Sequence, residues 1–272
     1  EADGTYKFRA RKTSQNNYSL ALAGKIKEVG IGSPISFKTK LYVGPKITEE
    51  LNKLNPDLGL VVDYGFLWWL GQPMYWLLGL GFKLLGNWGF AILFATVVIR
   101  AILWPLTAAS YRSMAKMRKL QPEMARLKER FGDDKQKFSQ AMMDLYKKEG
   151  ANPLGGCFPI LLQMPVFLAL YWTLMESVEL RQAPFILWIH DLSAMDPYFV
   201  LPILMGISMY LTQLMQPEPP DPIQAKVFKF MPIMFTFFFL WFPSGLVLYW
   251  LVNNILSILQ QWYVTRQIEK AG

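Results

Sequence analysis

Long apolar stretches separated by shorter polar ones make up most of the chain after residue 87. Five of these stretches have the length and composition of membrane-spanning helices. They occupy residues 88–108, 154–175, 197–215, 226–242 and 244–264. The pattern therefore predicts a mainly α polytopic membrane protein with five transmembrane helices.

The first 62 residues follow a different pattern, in which apolar and polar side chains alternate. YKFRAR, which starts at Tyr6, and PISFKTKLYVG, which starts at Pro34, both have the two-residue period of a half-buried strand. Two strands cannot build a sheet with a core of its own. We therefore expect residues 1–62 to be the C-terminal strands of a larger soluble β-domain.

Residues 63–87 are also apolar, but they are rich in tryptophan, tyrosine and glycine, and Pro73 interrupts them. Tryptophan and tyrosine prefer the headgroup level of a bilayer, and Pro–Gly interruptions weaken a spanning helix. The segment could still span. The pattern favours an amphipathic helix that lies along the outer interface.

The polar segments between the predicted spans differ in charge. Residues 109–152 carry eleven Lys or Arg against six Asp or Glu, whereas residues 176–196 carry one Arg and four acids. The positive-inside rule places 109–152 in the cytoplasm and 176–196 outside. By alternation, the loop 216–225 and the tail 265–272 are cytoplasmic, and the β-domain is external.

Within residues 109–152, methionine, leucine and phenylalanine recur every three or four residues on both sides of a GDD turn. This period predicts a helical hairpin that is held together mostly by its own packing. Two roles are open for it. It could be a solvated cap on the cytoplasmic helix ends, or an arm that docks on ribosomal RNA or anionic lipid, which its excess of base favours.

Composition agrees with a membrane protein, since 53% of the residues are hydrophobic and 18% are charged. The chain has one cysteine and one histidine, and it lacks HExxH, CxxC and GxSxG motifs. Metalloprotease, thiol redox and elbow-type serine hydrolase chemistries therefore lack their parts. We expect no catalytic residue, no cofactor and no metal. The net charge of +8 lies mainly in two polar segments, so we do not expect DNA as a partner.

Arg100 is the one charged residue between Trp88 and Tyr111. In a straight helix it would lie about 18 Å from either end, where an arginine costs roughly 2.5–3.5 kcal/mol. The predicted spans contain no Asp or Glu that could pair with it. An arginine with five N–H donors and no counter-ion indicates a wet, positively charged cavity that is open to an acidic segment.

Neutral polar side chains recur at helical spacing in four of the five predicted spans. They are Thr96, Thr107, Gln163, Ser208, Thr212, Tyr249, Asn253, Ser257 and Gln260. Two interpretations are open. These groups could hydrogen-bond between helices, at about 0.6 kcal/mol each, or they could line the cavity around Arg100.

Four segments resemble the YidC/Oxa/Alb family of membrane protein insertases, in its bacterial, Gram-negative form. They are SMAKMRKLQPEM, NPLGGCFPILLQMPVFLALYW, VELRQAPFILWIHDLSAMDPYFVLPILMG and FFLWFPSGLVLYWLVNN. The resemblance extends from about residue 42 to residue 267. It implies a five-helix core around a hydrophilic groove that is closed outside and has one arginine at its centre.

The resemblance assigns Arg100 to the centre of this groove and Thr96, Gln163 and Asn253 to its lining. A second set of residues would contact substrate helices, namely Met164, Phe167, Tyr249 and Trp250. The implied activity is the insertion of short hydrophilic tails and transmembrane helices into the bilayer, alone or with the Sec translocon. This activity makes no covalent bond, so we do not expect an enzyme.

The family further implies nascent membrane proteins, the Sec translocon, the ribosome, the signal recognition particle receptor and the lipid bilayer as partners. It implies a bacterial inner membrane location, with the β-domain in the periplasm and the C-terminus in the cytoplasm. We expect a signal-anchor helix and further β-strands to precede this chain. Two other function classes stay open, a secondary transporter and a structural assembly factor.

Overall fold

The computed structural model describes residues 7–12, 17–24, 30–32, 42–131, 134–150, 153–217 and 222–271, with the backbone alone for residues 8, 22, 56, 57, 60, 135, 153–160, 222 and 271. The chain forms two compact units, Glu1–Gly44 and Pro45–Gly272. The division thus falls earlier than the predicted domain end at residue 62. Residues 48–54, which were expected to belong to the β-domain, form a helix of the second unit.

The first unit contains an antiparallel pair of strands, β1 (Lys7–Lys12) and β2 (Tyr18–Ala23). The register sets Phe8 opposite Leu22 and Ala10 opposite Leu20, so the apolar positions of both strands share one face. β1 coincides with the predicted strand YKFRAR. The other predicted strand, at 34–44, lies largely outside the described residues.

The second unit is helical throughout its described elements. Its α-helices are α1 (Thr48–Leu54), α2 (Trp68–Leu85), α3 (Trp88–Ile102), α4 (Trp104–Lys119), α5 (Gln121–Phe131), α6 (Lys135–Lys148), α7 (Pro153–Glu176), α8 (Val200–Leu214), α9 (Pro222–Phe239) and α10 (Ser244–Ala271). Short 3-10 turns occur at Pro56–Val61, Gly65–Leu67 and Val178–Leu180. The last four predicted spans coincide with α7 to α10.

In the part of the chain that the structure describes, no single helix is both long and apolar enough to cross a membrane. Helices α3 and α4, which are joined by a bend, are together long and apolar enough to cross a membrane. Two shorter apolar helical segments are Leu161–Glu176 and Val200–Leu214.

The predicted span 88–108 is divided by a bend of 68° between α3 and α4. Leu103 separates the two helices, and its N–H bonds the Ile99 carbonyl at 3.0 Å. Pro105 follows as the second residue of α4, and a proline has no N–H to bond the carbonyl four residues earlier. Arg100 consequently lies in the last turn of α3, not near the middle of a straight helix.

The main core packs α2, α3, α7, α8 and α10 around apolar side chains that are almost fully buried. They include Leu78, Ile92, Leu170, Met205, Leu246 and Val247. Small residues let these helices approach closely. A Cβ on Gly81 of α2 would lie 3.0 Å from the Ala91 Cα of α3, and one on Gly206 of α8 would collide with Thr236 of α9.

Helix α10 is tied to its neighbours by amides on two of its faces. On one face, Gln260 Nε2 donates to Thr107 Oγ1 of α4 at 2.7 Å. On another, Gln261 Nε2 donates to the Met215 carbonyl after α8 at 2.9 Å. Hydrogen bonds between helices therefore account for part of the polar spacing in the sequence.

Helices α4, α5 and α6 form the predicted hairpin within residues 109–152, and they share a second core with the end of α10. Met114, Met117 and Met124 pack there with Tyr146 of α6 and Val264 of α10. Asp134 caps α6 by accepting the backbone N–H of Lys137 at 3.1 Å. The hairpin thus packs partly on α10, whereas the sequence indicated mostly self-packing.

Backbone hydrogen bonds join the segment 176–196 to the start of α10. The N–H of Ser244 bonds the Ala194 carbonyl at 2.7 Å, and that of Gly245 bonds the Leu192 carbonyl at 2.9 Å. Asp196 is buried and accepts the N–H of Leu201 at 2.7 Å, which anchors the start of α8. The loop is therefore fixed to both α8 and α10.

Helix α2 lies within the segment 63–87 that was predicted to be interfacial. Its buried face consists of Gly71, Met74, Leu78 and Gly81. Its other faces expose Trp68, Trp69, Trp76, Leu84 and Leu85. Such a two-faced helix suits the boundary between protein and bilayer headgroups. An interfacial position for 63–87 stays a prediction.

Candidate functional site around Arg100

A groove of about 540 Å³ opens between α7, α8, α9 and α10, and Arg100 lies in its lining. Polar side chains from α7, α8 and α10 contribute to it, namely Gln163, Thr212, Gln213, Asn253, Asn254 and Ser257. Helix α9 contributes apolar side chains, namely Phe228, Met231, Pro232, Phe235, Phe238 and Phe239. Among the described lining residues, Arg100 alone carries a charge.

The guanidinium of Arg100 is held by neutral partners on α10. Nε donates to Asn253 Oδ1 at 2.8 Å, and Nη2 donates to the Asn253 carbonyl at 3.2 Å and to Ser257 Oγ. Nη1 makes no hydrogen bond to any residue that the structure describes. Arg100 is 8% exposed and lies in the groove lining, so its side chain is almost enclosed.

No acidic partner accompanies Arg100 within the described residues. The ion pairs there join Lys46 to Glu176, Lys83 to Glu49 and Lys137 to Asp134. The carbonyl end of α3 partly replaces a counter-ion, because the last turn of a helix carries partial negative charge. Because this compensation is partial, the Arg100 guanidinium still has capacity to bind an anion.

Thr96 does not line the groove, although the family resemblance placed it there. Its side chain is 1% exposed, and Oγ1 donates to the Ile92 carbonyl of its own helix at 2.6 Å. A threonine hydroxyl in a helix commonly makes this local bond. Thr96 thus lies one turn before Arg100, behind the groove wall.

Gln163 lines the groove, whereas Tyr249 lies behind it. Gln163 Nε2 donates to the Tyr249 hydroxyl at 2.5 Å, which joins α7 to α10. Tyr249 is 1% exposed. Of these two predicted site residues, Gln163 alone faces the groove. Tyr249 does not face it, and its hydroxyl accepts a hydrogen bond from Gln163.

Met164, Phe167 and Trp250, the other predicted contact residues, all line the groove. Trp250 packs edge to face on Phe167 with ring centroids 4.7 Å apart, and its ring centroid lies 5.5 Å from that of Phe239. Trp250 Nε1 is buried without a hydrogen-bond partner among the described residues. These rings form a continuous apolar surface beside the Arg100 side chain.

Several lining residues were not among the predicted site residues. Ser257 lies one turn after Asn253, and the polar spacing of the sequence named it as a possible cavity residue but not as a hydrogen-bond partner of Arg100. Asn254 lies next to Asn253 but points to α8, where Nδ2 donates to Ser208 Oγ at 3.0 Å. Gln213 and Tyr171 also line the groove, and nothing in their sequence context indicated them.

The arrangement has the features of a binding site. Among the described residues no cluster of His, Cys, Asp or Glu could hold a metal ion. What the groove offers is one cation, a set of amide and hydroxyl groups, and an aromatic wall. An occupant that combines an anionic or polar part with an apolar part matches these features.

Two family models match this chain. The 60Kd inner membrane protein model matches residues 80–271, and the YidC periplasmic domain model matches residues 1–77. The second match covers the segment in which the sequence predicted β-strands. The first covers the helices that form the groove.

Curated relatives are similar over nearly the whole chain. The membrane protein insertase YidC of Pseudomonas putida is 62% identical over 263 residues, which are 97% of this chain and 47% of that protein. That of Ectopseudomonas mendocina is 61% identical over 270 residues, 99% of this chain and 46% of that protein. This chain therefore spans about half the length of these relatives.

A solved structure, described as "Active YidC insertase crystal structure with the first transmembrane domain resolved", has a similar fold. The TM-score is 0.61 at 28% sequence identity, over 79% of this chain and 50% of that one. The resemblance seen in the sequence is thus confirmed by family models, relatives and fold. Because the 60Kd inner membrane protein model covers more than half of the 272 residues, this chain belongs to the YidC family of inner membrane proteins.

Proposed function

We propose that this chain forms the core of a membrane protein insertase, which moves short hydrophilic tails and transmembrane helices of substrate proteins into the lipid bilayer. One observation carries the proposal. Nη1 of Arg100 has no hydrogen-bond partner among the described residues, and Arg100 lines a groove whose other described lining residues are uncharged.

The physical basis is a lower barrier for a polar tail. A carboxylate that enters an apolar layer loses its hydration, and a nearby cation returns part of that energy, the more so in a low dielectric. Amides such as Gln163, Gln213 and Asn254 offer hydrogen bonds to the tail. The phenylalanine wall of α9 accepts the apolar helix that follows, before it moves into lipid.

We place residues 88–108, which are α3 and the start of α4, and helices α7 to α10 across a bacterial inner membrane, as a five-span core. The excess of base in 109–152 supports a cytoplasmic hairpin, and by alternation the C-terminus of α10 is cytoplasmic as well. In this orientation the first unit, which contains β1 and β2, lies in the periplasm, and α2 lies along the periplasmic surface of the membrane.

The proposed partners follow from this function. Substrates are nascent membrane proteins, and the lipid bilayer is the acceptor. Cooperation with the Sec translocon, the ribosome and the signal recognition particle receptor is proposed from the family. The basic surface of the hairpin supports contact with ribosomal RNA or with anionic lipid.

One alternative has an observation in its favour. Arg100 joins α3 to α10 through Asn253 and Ser257, so it could serve as a tie between helices in a structural assembly factor. A secondary transporter would use the same charge as a solute site. In neither alternative does a segment of a substrate protein have to enter or cross the bilayer.

Reconstitution separates the three functions. Purified protein in liposomes is given a short single-span substrate with an acidic tail, and protease protection reports how much of the tail reaches the lumen. We expect protection well above that of protein-free liposomes. Protection equal to that of empty liposomes contradicts insertase activity, and solute uptake in the same vesicles would favour a transporter.

A further inference from the structure

A second cavity, of about 340 Å³, lies at the end of the helical unit that carries residues 176–196. We call it the outer pocket. The end of α7 and the turn after it line one side, and Leu192, Ser193 and the start of α10 line another. Lys46 completes the lining from the segment before α1. The pocket thus lies at the predicted periplasmic end of the core.

The charges in the outer pocket leave one cation unpaired. Lys46 Nζ lies 2.6 Å from Glu176 Oε2, so these two charges offset each other. The exposed guanidinium of Arg181 makes no hydrogen bond or ion pair with any residue that the structure describes. With one acid against two bases, the described lining is net positive. It is complementary to an anion.

Tyr171 links the outer pocket to the groove around Arg100. Its side chain lines both cavities, so its ring forms part of the wall between them. The Tyr171 hydroxyl makes no hydrogen bond to a described residue, and the ring centroid lies 6.5 Å from that of Phe167 and 6.3 Å from that of Trp172. Phe242 lines the groove and Pro243, the next residue in the sequence, lines the outer pocket, so the two cavities also meet there.

We propose that the outer pocket is the receiving site for an acidic substrate tail that leaves the groove, with Arg181 as the second cation on its path and Tyr171 as the movable wall. This inference rests on the proposed insertase function. A carboxylate released from Arg100 then meets another counter-charge before it is fully hydrated, which smooths the energy profile of its exit.

The shared wall favours a tail over a lipid headgroup as the occupant. A headgroup would need the pocket alone, and it would gain nothing from the continuity with the groove. A tail passes Tyr171 in sequence, and the free hydroxyl can bond its backbone during the passage. The lipid is kept as an outcome of the test.

The test compares Arg181→Glu with Lys53→Glu, an equal charge reversal at an exposed α1 residue outside the pocket. Two single-span substrates differ in the tail alone, which carries two aspartates or two serines. We expect Arg181→Glu to slow insertion of the acidic tail about two- to fivefold, the size of an exposed ion pair. The neutral tail and the Lys53→Glu protein should match the wild type.

The possible outcomes separate the two levels of inference. If the wild type inserts both tails and Arg181→Glu slows neither, or slows both equally, the receiving site is wrong. Equal slowing that anionic lipid in the vesicles reverses identifies a headgroup site instead. A wild type that inserts neither tail contradicts the proposed function itself. As a second readout, a photo-crosslinker at position 193 should capture the acidic tail about two- to fivefold less in Arg181→Glu than in the wild type, and equal capture would contradict the receiving site.

Discussion

Nε of Arg100 donates to Oδ1 of Asn253 at 2.8 Å and so ties the last turn of α3 to α10. The next residue, Asn254, donates to Ser208 of α8 at 3.0 Å. Two adjacent asparagines thus fix α10 to helices on two sides, because neighbouring residues of a helix point about 100° apart. One of them also orients the single charge of the groove.

We predict that Asn253→Ala lowers the free energy of unfolding by about 1–3 kcal/mol, the cost of an unpaired bond to a charged group. Equilibrium unfolding in mixed micelles measures this. In a double-mutant cycle with Arg100→Ala, Asn253 should show coupling of about 1 kcal/mol or more, and the matched control Asn254→Ala less than about 0.5 kcal/mol. Equal coupling energies to Arg100 for the two asparagines would show that Asn253 is not a specific partner of Arg100.

We predict that Gly206→Ala pushes α8 from α9, because a Cβ there collides with Thr236, whose hydroxyl bonds the Pro232 carbonyl at 2.7 Å. The expected loss is about 1–3 kcal/mol, as for overpacking. Thr236→Ala in the same protein should recover most of it. Gly79→Ala is the control, since nothing lies within 4 Å of the added Cβ. A neutral Gly206→Ala would mean that α8 and α9 are not in close contact.

Val264 of α10 is 3% exposed within the second core, among residues of α4, α5 and α6. We predict that Val264→Ala speeds amide hydrogen exchange in α5 and α6 and leaves α8 unchanged, because the hairpin loses packing against α10. Val252→Ala, at a site that packs on the main core, is the control. Unchanged exchange in the hairpin would instead support the self-packed hairpin that its sequence indicated.

The cap of α6 should depend on pH. The backbone N–H of Lys137, and then its ammonium, hold the pKa of Asp134 below its usual range. A lowered pKa means that the stabilising effect is complete above the unfolded pKa of about 3.9 and is lost as pH falls through the folded pKa. Exchange at the start of α6 should therefore rise below about pH 4 relative to Asp134→Asn, which caps without titrating. Parallel profiles for the two proteins would contradict this.

Helical periodicity and hydropathy were enough to predict α7 to α10, whereas the family resemblance was needed to place Asn253 beside Arg100. They did not predict the break at Leu103, because hydropathy registers composition and not hydrogen bonds. The signal was Pro105, whose missing N–H and ring disfavour a continuous helix. Helix α10 continues past the predicted end at 264 to Ala271, since the residues after Val264 are polar but still helix-compatible.

Periodicity indicates the face of a side chain but not its partner. Thr96 shares a face with Arg100, yet its short hydroxyl reaches the carbonyl of Ile92 in its own helix. Tyr249 precedes Trp250 in the apolar run, and a rotation of about 100° turns it away from the groove toward Gln163. The outer pocket was not predictable, because it joins segments as distant in sequence as Lys46 and Ser193.

The central claim is that Arg100 acts by its charge in the groove. Arg100→Lys keeps the charge but not the three hydrogen bonds to Asn253 and Ser257, and Arg100→Ala loses both. Asn253→Ala keeps the Arg100 charge but removes the side-chain hydrogen bond that holds it. This variant therefore distinguishes the effect of the charge from the effect of its exact position.

The most direct measurement is the insertion rate of two substrates, matched except for neutral or acidic tails, by the wild type and the Arg100→Lys, Arg100→Ala and Asn253→Ala proteins in liposomes. The account predicts that Arg100→Ala slows the insertion of acidic tails far more than that of neutral tails. Arg100→Lys and Asn253→Ala should insert acidic tails at much of the wild-type rate. Equal losses for both tails, or an Arg100→Lys protein as poor as Arg100→Ala, would contradict it and leave Arg100 as a structural tie between α3 and α10.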